Sequence, residues 1–120
     1  MALDKENFNA LMLKGLRRAG ETHSLDDVVQ ALHRGHMQML YNADAAIVTQ
    51  ITQAPRKRVL DVFMALGELG AVAALSPDLI ERARSAGAEF GRAYVRPGLV
   101  DPLKAMGWTS RGEVMFYELK

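Results

Sequence analysis

The run Val59-Leu60-Asp61-Val62-Phe63-Met64-Ala65-Leu66 restricts the folds open to this chain more than any other stretch. It is apolar without strict alternation, the pattern of a central strand covered on both faces. Asp61 interrupts it, and it is far too short to span a bilayer. Gly67-Glu68-Leu69-Gly70 and a helical stretch come next. A buried strand passing through a glycine loop into a helix is the first half of a parallel crossover. The second half follows. Ser76-Pro77-Asp78 reads as N-cap, N1 and N2, with Ala71 to Leu75 as an earlier start, and Leu79, Ile80, Ala83 and Ala86 give the buried stripe. Gly87 ends this helix, Glu89 to Val95 reads as a strand parallel to the Val59 strand, and Pro97-Gly98 breaks it.

The flanking segments complete the pattern. Leu3, Phe8, Leu11, Met12 and Leu16 recur at helical spacing, which predicts a helix over residues 1–20 ending near Gly20. Ser24 then looks like an N-cap, with Asp26 and Asp27 in the first turn, a stripe of Leu25, Val28, Val29 and Leu32, and Gly35 as the stop. Met37, Met39 and Tyr41 alternate with other residues, Asn42-Ala43-Asp44 is a turn, and Ile47, Thr49 and Ile51 alternate again. This predicts an antiparallel hairpin, followed by a second turn at Ala54-Pro55-Arg56. Leu99 to Met106 reads as a short helix stopped by Gly107, and Glu113 to Leu119 as a closing strand. The expected order is ααβββαβαβ. That is one α/β (α+β) domain over residues 1–120, a single mixed β-sheet flanked by helices.

Composition removes several function classes. A formal net charge of +1 gives no general attraction to nucleic acid or to an anionic membrane surface. The chain has no cysteine, which excludes disulfides, thiol catalysis and thiolate-bound zinc, and fits a reducing compartment. Met1-Ala2-Leu3-Asp4-Lys5-Glu6 lacks the basic and apolar regions of a secretory signal. The expectation is a protein that is cytoplasmic in the producing cell, with no membrane partner.

The element order is similar to that of the GNAT acetyltransferase superfamily without its usual first strand, over roughly Ser24 to Lys120. Besides the Val59 strand and its glycine loop, Ile80-Glu81-Arg82-Ala83-Arg84-Ser85-Ala86-Gly87-Ala88 resembles the end of that family's crossover helix. Leu103-Lys104-Ala105-Met106-Gly107-Trp108 resembles its closing pattern of a short helix, a glycine and an aromatic residue. More narrowly, Ile47-Val48-Thr49-Gln50-Ile51 followed by Ala54-Pro55-Arg56-Lys57-Arg58-Val59-Leu60 resembles short GNAT-like proteins of phages and prophages. That group is related to internal virion proteins of short-tailed phages.

The resemblance implies acetyl-CoA as cofactor, with its pyrophosphate held by a loop of type Gln/Arg-x-x-Gly-x-Gly/Ala at a helix start. It assigns that role here to Gly67, Leu69, Gly70 and Ala71. Setting the first glycine at Gly67 places Met64 at the basic position and Leu69 at the small one; setting it at Gly70 places Gly67 and Val72 there. Neither register matches, and Glu68 adds a carboxylate that repels a pyrophosphate. The competing reading is a strand-to-helix turn that uses glycine for backbone freedom. The family's general-acid tyrosine, four residues before the closing glycine, corresponds to Leu103, which can donate no proton. Tyr94 and Tyr117 are the remaining catalytic candidates, each competing with a packing role, and Asp61 must face a cleft, a partner or an Arg.

Other clusters are weaker. His33 and His36 stand three apart with His23 upstream, but Gly35 separates them and no further ligand is near, so no metal site is expected. Arg56, Lys57 and Arg58 with Arg92 and Arg96 form either a basic patch for phosphate or an acidic partner, or a solvated sheet end. Met37, Met39, Met64 and Met106 read as core fillers, while Met12, Trp108 and Phe116 are candidates for self-association. Two functions lead. One is a non-catalytic phage virion or assembly protein acting through other virion proteins or its own copies, incorporated in a virion. The other is a small acetyl-CoA-dependent N-acetyltransferase with a divergent loop. Nucleic-acid binding through Arg56, Lys57, Arg58 and Arg92 ranks below both.

Overall fold

The Val59 strand is the hub around which the chain assembles. In a computed structural model describing residues 5–119 it is β3 (Arg58–Gly67), hydrogen-bonded on both sides. On one side it pairs antiparallel with β2 (Ala45–Gln53), which pairs antiparallel with β1 (Gln38–Tyr41). On the other it pairs parallel with β4 (Phe90–Ala93), giving the sheet order β1-β2-β3-β4. The expected hairpin and the expected parallel crossover are both present.

Each face of the sheet carries a helical layer. α1 (Lys5–Arg18) and α2 (Leu25–His33) lie on one face, where Met12, Leu16 and Val28 pack against Met37, Val48, Met64 and Leu66. Leu3, expected in the α1 stripe, lies outside the described residues. α1 comes close to β3 because Gly15 faces it. A methyl group there would sit 2.9 Å from Met64 Sδ and 3.0 Å from a Leu66 methyl. α2 begins with a capping box, in which Ser24 Oγ accepts from the Asp27 N–H and Asp27 accepts from the Ser24 N–H.

The opposite face is covered by α3 (Leu69–Ala74), α4 (Ser76–Ser85) and α5 (Pro97–Ala105). Val72, Leu75, Leu79, Ala83 and Leu99 bury Ala45, Ile47 and Leu60 there. A bulge at Phe63 lets β3 serve both layers. Val48 faces Met64 while Thr49 faces Val62, so Phe63 is the extra residue. Val62 and Ala65 therefore pack toward α3–α5, and Phe63, Met64 and Leu66 toward α1 and α2.

Four expectations need correction. The crossover helix is two helices, because Pro77 has no N–H to bond back to Ala73 and the chain re-starts at Leu75. β4 stops at Ala93 rather than Val95. Glu113 to Leu119 forms no strand, so the order is ααβββααβα. Met12 is fully buried and cannot serve self-association, whereas Met106 is 38% exposed and is no core filler.

Candidate functional site

The place to look for chemistry is where β3 and β4 part. They pair only from Val59–Phe90 to Val62–Ala93, and β3 then runs on to Gly67 without β4 beside it. The wedge between them opens onto the α3–α5 layer. It holds a cavity of about 20 Å³ lined only by apolar side chains, among them Val62, Ala65, Ala93, Val95, Leu103 and Trp108. That is room for a single water, and nothing in the lining would hydrogen-bond it. Leu103, at the position of the family's general acid, is part of this wall.

The mouth of the wedge is bridged. Arg96, the N-cap of α5, donates from Nη2 to the Gly67 carbonyl at 3.4 Å. Burial foremost, and the positive charge of Arg18 after it, pull the Arg96 guanidinium below its usual range. Arg96 thus belongs to the wedge and does not share a strand face with Arg92.

Above the wedge lies the Gly67–Ala71 loop. Gly67 has φ +103°, and a Cβ there would run into the Asp44 carbonyl, so only glycine fits. Glu68 follows as N-cap of α3, its own N–H bonded to the Asp44 carbonyl at 3.1 Å. Its carboxylate turns back on the helix start. Oε1 accepts from the Gly70 N–H and Oε2 from the Ala71 N–H, both at 2.8 Å. These two bonds, Gly70 first, hold the Glu68 carboxyl below its ordinary 4.5. Asn42 adds a strut from the β1–β2 turn, donating Nδ2 to the Ala71 carbonyl at 3.0 Å.

Two of the four residues that the family resemblance assigns to a pyrophosphate, Gly70 and Ala71, therefore have their N–H groups engaged by the chain's own carboxylate. An incoming diphosphate would meet that negative charge, and its thioester arm would meet a filled apolar wedge. The residues present do not fit acetyl-CoA. Sequence reasoning recognised Glu68 as a charge in the loop but not as its cap, since Glu is not among the preferred N-cap residues.

The other candidates fall elsewhere. Ala93 and Val95 line the wedge, but Tyr94 between them is 72% exposed, and Tyr117 is 89% exposed; neither packs, and neither reaches Leu103's cavity. Asp61 accepts from Arg92 at 2.7 and 3.0 Å, and from the Thr52 hydroxyl at 2.6 Å, an arrangement that raises the Arg92 pKa. Arg58 is anchored to Gln53 Oε1 and the Ala86 carbonyl, Lys57 lies 6.0 Å from the Phe90 ring, and Arg56 is exposed. With Arg92 tied to Asp61, the basic residues do not converge on one point. His23 touches Phe63 edge-on at 4.8 Å, and no group of three or more His, Asp or Glu able to hold a metal occurs among the described residues. No described helix is long and apolar enough to cross a membrane.

No protein-family model and no curated protein matches the sequence. Solved structures do. The chain superposes on an acetyltransferase of Trypanosoma brucei with a TM-score of 0.67 and 15% identity, over 99% of this chain and 97% of that one. For the wild-type TTHA1254 protein of Thermus thermophilus the values are 0.63 and 19%, over 99% and 95%. For glucosamine-6-phosphate N-acetyltransferase of Arabidopsis thaliana they are 0.65 and 8%, over 100% and 97%. At such identities the likeness is one of fold alone, and the fold of this chain is that of the GNAT acetyltransferases.

Proposed function

We propose that this chain uses the acetyltransferase fold for protein contacts rather than for acetyl transfer. One observation carries the reading: the Glu68 carboxylate accepts from both Gly70 and Ala71 N–H groups, two of the donors that the resemblance assigns to a coenzyme A pyrophosphate. The apolar wall at Leu103 supports it, since no side chain there can protonate a departing thiolate. The narrower resemblance through Ile47–Ile51 and Ala54–Leu60 supports a place in a phage virion or in its assembly.

A small N-acetyltransferase is the second reading. The parting of β3 and β4 beyond Val62 and the likeness in fold to acetyltransferases favour it. Calorimetry with acetyl-CoA and with CoA separates the two. The first reading expects no saturable heat up to about 1 mM, the upper end of ordinary KM values. Saturable binding by the unaltered chain, with acetyl transfer to an amine, would establish the second reading and overturn the first.

A further inference from the structure

The α1–α2 side of the sheet is covered over only part of its area. The helices lie on Met37, Val48, Met64 and Leu66, and His23, in the loop between them, meets Phe63 edge-on. On the rest of that side the alternation of β4 decides what faces outward. Gly91 meets the Trp108 ring and Ala93 lines the wedge, so Phe90 and Arg92 point to the α1–α2 side, level with Val59 and Asp61 of β3. Tyr94, one residue past β4, keeps the alternation, since Ala93 and Val95 on either side of it line the wedge. Its hydroxyl bears on the Arg92 charge. Phe90 is 43% exposed, the Arg92 side chain 44% and Tyr94 72%. Ring, guanidinium and ring thus stand open in one row.

Residues i and i+2 of a strand are roughly 6.7 Å apart, about twice the ~3.4 Å between bases stacked along one strand of a duplex. Bases therefore seat one to a rung only when the nucleic acid is single-stranded and splayed, as on the four-stranded sheets whose aromatics hold single-stranded RNA. Arg92 is fixed as the middle rung. Its two bonds to Asp61, which the Thr52 hydroxyl also holds, use the edge of the guanidinium and leave flat faces of the kind that stack. The other cations lie beside the row. Lys57 Nζ is 6.0 Å from the Phe90 ring, Arg58 is anchored to the Gln53 and Ala86 oxygens, and Arg56 is exposed. With Arg92 they outnumber the carboxylates of that end, Asp61 and Glu89. These cations do not converge on one phosphate, but a strand presents its phosphates in series, and cations in series suit it.

We propose that Phe90, Arg92 and Tyr94 form a stacking platform for single-stranded nucleic acid, with Arg56, Lys57 and Arg58 taking its phosphates. Stacking on flat side chains tolerates any base, so the binding is independent of sequence. The net charge of +1 sets its strength. Without a broad positive field, the affinity comes from a few stacked bases and a few phosphates, and Kd falls in the range of non-specific binding, from about 1 to 100 µM. The platform and the proposed role in protein contacts rest on different residues, so either can fail alone.

Fluorescence anisotropy on the whole chain, with labelled oligothymidylate and oligouridylate of about eight residues at ~50 mM salt, is the first measurement. Saturable binding of either supports the platform, and the tighter of the two names the source of the strand. Tyr94→Ala is expected to weaken binding at least ~5-fold, the low end for losing one stacked base, and Tyr94→Phe to keep it within ~2-fold. Far-UV circular dichroism of both variants should match the parent, since Tyr94 is 72% exposed and belongs to neither core cluster. The slope of log K against log salt should be about −2 to −3, for three or four phosphate contacts, and Lys57→Gln should reduce it by about 0.7. A duplex of the same length, and inorganic polyphosphate, which offers charge without bases, should each bind at least ~10-fold more weakly. No saturable binding up to ~500 µM protein, equal affinity for polyphosphate, or indifference to Tyr94→Ala would overturn the platform. So would polyglutamate that binds as tightly as either strand, which would make the row a surface for acidic protein.

Discussion

Trp108, the only tryptophan, donates from Nε1 to Ser76 Oγ at 2.8 Å. Ser76 is 1% exposed and opens α4, while Trp108 follows α5 and packs against the Leu60–Leu99 core. The bond therefore fastens the end of α5 to the start of α4, keeping Leu103 and Trp108 in the wall of the wedge. Ser76→Ala preserves the packing and removes the acceptor. An indole N–H can only donate, so it is left unpaired in a half-buried place, at a cost of about 1–2 kcal/mol. In a domain of this size that lowers Tm by roughly 3–8 °C. Trp108→Phe removes the donor itself, and Ser76→Ala added to that background should then cost close to nothing. The double-mutant cycle is expected to show a coupling of about 1 kcal/mol, read by urea unfolding with far-UV circular dichroism, because the Phe variant has no tryptophan fluorescence. Additivity to within ~0.3 kcal/mol would refute the claim that this bond fastens α5 to α4.

Gly67→Ala should destabilise by about 3 kcal/mol or more, since it combines an unfavourable φ of +103° with a collision against backbone at Asp44; a loss below ~1 kcal/mol in chemical unfolding would contradict that geometry. Asp61→Asn keeps the Thr52 bond and loses the ionic part of the Arg92 pair, whose guanidinium side chain is 44% exposed, so the cost should stay below about 1 kcal/mol and shrink in high salt. Asp27 and Glu68 are both held below their ordinary values of 3.8 and 4.5, chiefly by the Ser24 backbone N–H and the Gly70 N–H respectively. Depressed carboxyl groups contribute stability that is complete above the unfolded values and lost as pH falls through the folded ones. Stability should therefore be flat in this respect above pH 4.5 and decline below it, and Glu68→Gln should soften the decline in an acid titration followed by circular dichroism.

Much of the scaffold was legible because local chemistry and burial agree in the sequence. The Ser24–Asp27 box carries its own hydrogen-bonding logic, and the apolarity of Val59–Leu66, broken only by Asp61, announces burial on both faces. Elsewhere, tertiary context decided. Val114, Phe116 and Tyr117 favour strand, but a strand needs a partner, and no described residue pairs with them. Met12 and Met106 look alike in sequence; one lands under α1 against β3, the other beyond α5 in solvent. The candidate site divides in the same way. The family resemblance placed Leu103 where a general acid would stand, and the structure puts it in the wedge wall. The role of Glu68 depends on its carboxylate folding back on two N–H groups, a geometry that no spacing rule encodes.

Those two bonds decide between protein contacts and acetyl transfer, and amide NMR reads them directly. In ¹H–¹⁵N spectra the Gly70 and Ala71 resonances should titrate together with one apparent pKa below 4.5, and both should stay in place at neutral pH as CoA is added. Amides that ignore the Glu68 titration, or that shift saturably with CoA while Glu68 is intact, would contradict the proposed role.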